Sequence, residues 1–471
     1  MRGTRRSKLA ALVLSAFAPG LVLAPAAHAE PSVGVWLTTQ DGGQLLARQP
    51  DVEFGSGGGH RTITVDPGET HQTMTGFGAA LTDSSAALMN ASPRRDELLT
   101  ELFDQREGIG LTAVRQVIGA SDFAREVYSY DEVPPGQDDY DLSEFSIAHD
   151  EADILPLLRR AKELSPELNA VATPWSAPGW MKSGGSMIGG ELPAQNYQVF
   201  ADYLVKFVQA YQRAGVPIDA LTPQNEPLNT QESYPGSPMA PDAQAAFVRN
   251  DLGPKLEQAG LGTEVFAYDH NWDDVDYPNQ VLDAAAQYTD GAAFHCYGGD
   301  PSAQSAVHEA HPDAEIHLTE CSGTESADPA NTFRDTLAWQ ADNLIIGGTR
   351  NHASSVLLWN LALDPAHGPV LDGACTDCTG VTTVDGGDVR YNAEYYALGH
   401  ASKFVRPGAV RVGSNDLGEV RNAAFRNPDG SIALIAHNPT GGEQTFTVSA
   451  QNRAFDYTLP AGGLATFSWP G

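Results

Sequence analysis

An α/β fold, a (β/α)8 TIM barrel with an all-β sandwich side domain, is predicted by three observations. Between about residues 75 and 365, short apolar or β-branched runs alternate with amphipathic helical stretches, the pattern of repeated βα units. The strand candidates in that span number eight, the count that closes such a barrel. On either side the helical periodicity stops and a period-two pattern, rich in Gly, Thr and Asp, takes over, which is how solvated antiparallel strands read.

Taken in order, residues 1–29 read as a signal peptide. Arg2, Arg5, Arg6 and Lys8 precede an apolar run, and Ala27-His28-Ala29 supplies a small-residue cleavage site. Pro19 and Gly20 interrupt the run and no stop-transfer pattern follows, so export without a stable membrane anchor is expected; the Arg5-Arg6 pair permits either general or twin-arginine export. Residues 30–74 carry short alternating pieces such as RTITVDP and are assigned to the β side domain. The barrel is expected over 75–403. Its strand candidates are GFGAALT (76–82), TAVRQVI (112–118), NAVATPW (169–175), DALTPQN (219–225), EVFAYDH (264–270), AAFHCYG (292–298), EIHLTEC (315–321) and SVLLWNL (355–361). Between them SPRRDELLTELF opens with a Ser cap and a Pro, and NYQVFADYLVKFVQAYQRAG repeats its apolar residues at helical spacing until Gly215. Residues 404–471 return to strands: AAFRNPDGSIALIAHN is a hairpin around Asp429-Gly430, and QTFTVSA and LATFSWPG continue the alternation. Composition alone suggests one side domain built from both chain ends.

Removal of residues 1–29 leaves 24 basic against 60 acidic side chains, a net charge of −36. Such a surface repels nucleic acid and anionic membrane while leaving neutral substrates free to approach. No protein partner is implied. Of the four cysteines, Cys375 and Cys378 in ACTDCTG read as a small structural disulfide, because export favours oxidised sulfur. No HExxH, HxxEH or second CxxC accompanies them, so neither a metal nor a cofactor is expected. Cys296 and Cys321 follow His295 and Glu320, so strand alternation turns both toward the helix layer. There they either pair or remain buried thiols.

Function in such a barrel collects where strands end, and polar residues end nearly every candidate. Asp83 follows the first strand, Arg115 lies in the second, Trp175 ends the third and Asn225-Glu226 the fourth. Asp269-His270 end the fifth, His295 and Tyr297 the sixth, Glu320 the seventh and Trp359-Asn360 the eighth. Glu226 and Glu320 sit three strands apart on the ring and can face each other across the mouth. Paired carboxylates are what glycosidic cleavage needs: one protonates the departing oxygen, and the other attacks the anomeric carbon. Tyr297 is placed to hydrogen-bond an ionised Glu320, and Asn225 to donate to a sugar hydroxyl. On this reading burial and the neighbouring charge of Glu320 keep Glu226 protonated, with a raised pKa.

The ordered segments GFGAALTDSSAALMN, ATPWSAPGWMK, TPQNEP, SYPG, FVRNDLGP, FHCYGG, HLTECSG and WNLALD resemble glycoside hydrolase family 30 over about residues 75–410. The resemblance implies a retaining hydrolase of β-glucosidic bonds with Glu226 as acid/base and Glu320 as nucleophile. It implies substrate contacts from Asp83, Trp175, Asn225, Tyr234, His295, Tyr297, Trp359 and Asn360. After WNLALD the chain reads PAHGPVLDGACTDCTG, with Leu371 where the glucosylceramidase branch carries an aromatic. The arrangement is more similar to the secreted β-1,6-glucanase branch, so a neutral β-1,6-glucan is the expected substrate. A glucosylceramidase or small-substrate β-glucosidase is the alternative, and a non-catalytic secreted carbohydrate-binding protein the remote one. Retention of both carboxylates and Asn225 argues against the last.

Overall fold

The computed structural model describes residues 32–55 and 57–471; the expected leader lies outside the described residues. Among those residues no helix is long and apolar enough to cross a membrane.

Eight parallel strands close a barrel in chain order: Gly76–Leu81, Ala113–Ile118, Asn169–Pro174, Ala220–Leu221, Glu264–Asn271, Gly291–His295, Glu315–Glu320 and Ala353–Leu358, the last pairing with the first. The fourth differs most from the sequence expectation. Its ladder holds only Ala220 and Leu221, because Pro223 has no N–H to donate and the chain bends away beyond it. Single bonds from Thr222 N–H to Ala172 O (3.0 Å) and from Asn225 N–H to Pro174 O (2.9 Å) still tie TPQN to the third strand.

Alternate residues of the strands fill the lumen. Ala113, Val171, Ala220, Phe266, Ala293 and Leu357 form an apolar plug near the bottom, the packed interior that barrels of this size require. Gly78 permits the closest strand approach: a Cβ there would lie 1.8 Å from Ala113 O. Outside the ring the helices bury one stripe each. In Tyr197–Arg213, Phe200, Tyr203, Leu204, Phe207 and Tyr211 face the barrel, and Gly215, at φ +87°, ends the turn that follows.

Strands from both chain ends form one nine-stranded sheet. Its order is Ala47–Glu53, Ser32–Thr38, Leu464–Trp469, Ile432–His437, Arg421–Arg426, Val410–Ser414, Thr62–Thr73, Gln444–Ala450 and Arg453–Leu459. The sheet folds over until its edges meet, with Gly55 N–H donating to Ala454 O at 2.8 Å and Phe54 packed edge-on against Phe455 and Trp469. Val33, Ile63, Leu434, Phe446 and Phe467 share the enclosed core. Ala423, Phe425, Ala433 and Ile435 face the other way and join the barrel's core. This double burial explains why IALIA, residues 432–436, is apolar without interruption.

Candidate active site

The polar floor of the barrel mouth is organised around Asp269. The fifth strand shifts register between Tyr268 and His270. Tyr268 and Asp269 both take left-handed backbone conformations, φ +76° and +68°, and the bulge turns the Asp269 carboxylate into the lumen. There it accepts from Arg115 Nη2 (2.9 Å), Thr173 Oγ1 (2.9 Å), Thr222 Oγ1 (2.6 Å) and Thr319 Oγ1 (2.6 Å). Its Oδ1 also lies 3.1 Å from His295 Nε2. Burial alone would raise this carboxylate, but Arg115 and His295 hold it far below the ordinary range.

Arg115, fully buried, spans the floor. It donates to Glu320 Oε2 and to Asn225 Oδ1 at 2.8 Å. Its guanidinium carbon lies 4.9 Å from the Trp175 ring and 5.6 Å from that of Trp359. The two indoles stack at 5.0 Å and 19°, giving a flat apolar wall backed by a cation. With its oxygen taken by Arg115, Asn225 has only its Nδ2 hydrogens left to offer.

Glu226, at φ +43°, sits just beyond the fourth strand. One oxygen accepts from Asn229 Nδ2 at 2.9 Å, and the other lies 3.1 Å from His295 Nδ1. Glu320, at the end of the seventh strand, accepts from Tyr297 Oη at 2.9 Å as well as from Arg115. One oxygen of Glu226, one of Glu320 and a nitrogen of His295 all lie within 4.8 Å of one another. This is the single grouping among the described residues close enough to hold a cation.

His295 therefore lies between two carboxylates. Burial lowers its pKa, but Glu320 and Asp269 outweigh burial and push it up to about 9. Burial likewise pushes Glu226 up, and the imidazolium overrides it, bringing Glu226 down to about 2. This runs against the expectation of a raised Glu226: the paired charges lower Glu226 and raise His295, one hydrogen bond away. Glu320 is raised by its burial, against the pull of His295 and Arg115.

A cavity of about 270 Å³ opens above this floor, lined by Trp175, Asn225, Glu226, Tyr234, Tyr297, Glu320 and Trp359 among the residues expected from sequence. Three others do not line it. His295 lies beneath, fully buried. Asn360 is also fully buried, and its Oδ1 accepts from Thr82 Oγ1 at 2.8 Å, pinning the eighth strand to the first. Asp83 heads the helix Asp83–Ala91 and turns away from the cavity. Its carboxylate accepts from the Arg125 backbone (2.8 Å), Arg125 Nε (2.9 Å) and Nη2 (2.7 Å), and faces His149 Nε2 at 3.0 Å. A carboxylate so occupied directs its lone pairs at Arg125 and His149 and stands outside the cavity lining.

A third acid beside Glu226 and Glu320 lines the cavity, Asp122, pushed well up by burial and by the charges of Glu320 and Glu226. It lies in the loop after the second strand, IGASDF, four residues past the strand end. A search confined to strand ends misses it; scanning the loops for acids would have found it. The Cys375–Cys378 disulfide also lines the cavity. A second disulfide joins Cys296 to Cys321 behind the sixth and seventh strands. The Leu371 N–H donates to Asp122 O at 2.8 Å, so the loop that lacks the aromatic is tied to the acid's own backbone.

Residues 74–405 match the glycosyl hydrolase family 30 TIM-barrel domain, and residues 408–467 match the glycosyl hydrolase family 30 beta sandwich domain. The chain is 36% identical to an endo-1,6-beta-D-glucanase of Neurospora crassa, covering 94% of this chain and 98% of that one. It is 28% identical to the lysosomal acid glucosylceramidase of Mus musculus, over 86% and 83% of the two. Among solved structures it superimposes on the endo-beta1,6-glucanase BT3312 with a TM-score of 0.87 and 32% identity, covering 93% of this chain and 99% of that one.

Proposed function

Because the chain belongs to glycosyl hydrolase family 30 and is a glycoside hydrolase, we propose that it cleaves β-1,6-glucan by a retaining double displacement, as an exported enzyme. The observation that carries the mechanism is the spacing of the two carboxylates, with oxygens within 4.8 Å across the mouth. Retaining enzymes hold their carboxyl groups at about 5–5.5 Å, whereas inverting ones leave room for a water.

A glucosyl unit stands against the Trp175–Trp359 wall, with Asp122 and Asn225 on its hydroxyls. Glu320, fixed by Tyr297 and Arg115, attacks the anomeric carbon. The departing oxygen takes its proton from Glu226, which is resupplied along the 3.1 Å bond from His295 Nδ1. Once Glu320 is esterified its negative charge is gone, and with it the largest influence raising His295. His295 is then neutral and Glu226 ionised, the state needed to take a proton from the water that releases the sugar.

Support for the linkage comes from the endo-1,6-beta-D-glucanase relatives, closer in identity than the glucosylceramidase. The test is a product profile on β-1,6-, β-1,3- and β-1,4-glucans and glucosylceramide. Gentiobiose-type oligomers from the first alone are expected, and release of ceramide alone overturns the reading. Glu226→Gln and Glu320→Gln should each lower kcat about 10³–10⁴-fold. Azide should rescue Glu226→Ala as a β-glycosyl azide; an α product would exchange the two roles.

A further inference from the structure

Beside the catalytic cavity lies a second one, of about 300 Å³, between the loop after the sixth strand, the loop after the seventh and the helix Thr332–Gln340. Tyr297 and Thr324 line both cavities, so the two adjoin on the Glu320 side of the site. We propose that this second cavity is a further subsite, which binds another glucosyl unit of the same glucan chain. This rests on the glucan reading above and adds to it where the polymer lies.

Two independent features carry it. The first is an aromatic pair: Tyr297 is 47% exposed and Trp339 42%. Among the described residues only Tyr140 joins them as an exposed aromatic side chain, so two of three fall on one cavity next to the site. Water-exposed rings of this kind offer flat apolar faces to the C–H face of a pyranose. The second feature is polar. Gln340 is 1% exposed, lines the cavity, and has no partner for either amide atom. Ser322 Oγ is likewise buried there without a partner. These atoms are closed to solvent as the side chains stand, yet buried polar groups otherwise find partners, and a turn of the Gln340 amide toward the cavity would present its donor and acceptor to the vicinal hydroxyls of a sugar. Asp335 adds a carboxylate at the rim, fixed by a 2.8 Å bond from Ser326 Oγ.

The experiment measures kcat/KM against chain length, from the disaccharide to the hexasaccharide, for β-1,6-, β-1,3- and β-1,4-linked gluco-oligosaccharides and for p-nitrophenyl β-glucoside. Wild type, Trp339→Ala, Trp339→Phe and Gln340→Leu are compared. Wild-type kcat/KM should rise with length in the series it cleaves. Trp339→Ala should lower the long-chain value about tenfold, mainly through KM, and change p-nitrophenyl β-glucoside by less than twofold. Trp339→Phe should restore most of the loss, because it keeps a ring. Gln340→Leu should reproduce the long-chain loss if it folds, and Trp339→Ala, at the surface, decides the matter if it does not. A wild type indifferent to length, or a Trp339→Ala loss equal on all substrates or absent, overturns the subsite. A length effect confined to the β-1,3 or β-1,4 series overturns the proposed linkage and leaves the subsite standing.

Discussion

Asp83 and Asp122 show how far a residue's role depends on what occupies its lone pairs. Both are acids near the barrel mouth. Asp83 is held far below the ordinary carboxylate range by Arg125 and His149, overriding its burial, whereas Asp122 is raised by burial and two neighbouring carboxylates. Asp83→Asn should therefore cost about 2 kcal/mol of stability while leaving KM for p-nitrophenyl β-glucoside within twofold, as chemical denaturation and kinetics on one preparation would show. Because the folded-state pKa of Asp83 is depressed, its contribution is present above pH 3.8 and is lost as pH falls below that value. Asp122→Asn should do the converse, keeping the denaturation midpoint and lowering kcat/KM at least tenfold. His295 sets the pH behaviour. Activity needs an ionised Glu320 and one proton on the His295–Glu226 pair, so the profile should be a bell whose alkaline limb falls near pH 9, where His295 loses that proton. In His295→Asn the proton can sit only on Glu226, whose ordinary value is 4.5. The alkaline limb should then move to lower pH; an unmoved limb would show that the proton does not pass through His295.

Along single elements, the catalytic geometry comes from departures from regular strands. Glu226, Tyr268, Asp269 and Asn360 all have positive φ, at about 1–3 kcal/mol of strain apiece; Glu226 and Asn360 stand just past strand ends and Tyr268 and Asp269 at the bulge of the fifth strand. The fourth strand's two-residue ladder and the fifth strand's bulge together bring Asp269 to Thr222, Thr173 and Thr319. None of this was legible in the sequence. Period-two patterning reports which face a residue takes in a regular strand, and a bulge shifts that face without changing composition. The strands themselves were legible, because their apolar runs are buried on both sides. Gly78 is the reverse case, a place where one backbone touches the next. Gly78→Ala would press its methyl into Ala113 O and should lower the urea midpoint by about 3 kcal/mol equivalent. An unchanged midpoint would mean that the first and second strands can part without cost.

The whole molecule behaves as one unit because its two parts share buried groups. Gln72 Nε2 donates to Thr349 O and Ala353 O (2.6 and 3.0 Å), and Arg350 donates to Ser414 O and Asn422 O (3.0 Å each). His400, fully buried on the helix Ala393–Ser402, lies 2.9 Å from both Thr38 and Thr466, one from each end of the chain. Trp36 packs on Phe404 at 4.4 Å. Thermal unfolding should accordingly be a single calorimetric transition. Deletion of residues 408–471 should give an insoluble chain rather than an active barrel, since it uncovers the apolar faces that Phe425 and Ile435 cover. Two separated transitions, or a soluble active truncation, would show the parts to be independent.

Residue pattern by itself determined the barrel, its eight strands, the β character of the flanks and the confrontation of Glu226 with Glu320. Each follows from local periodicity and from the parallel order of strands, which places strand ends on one rim. Only the tertiary structure decided that Asp122 faces the cavity in place of Asp83, that Cys296 meets Cys321, and that His295 is raised where Glu226 is lowered. Those outcomes depend on which groups stand within a few ångströms of one another after the ring closes, and residues 25 to 205 positions apart in the chain supply them.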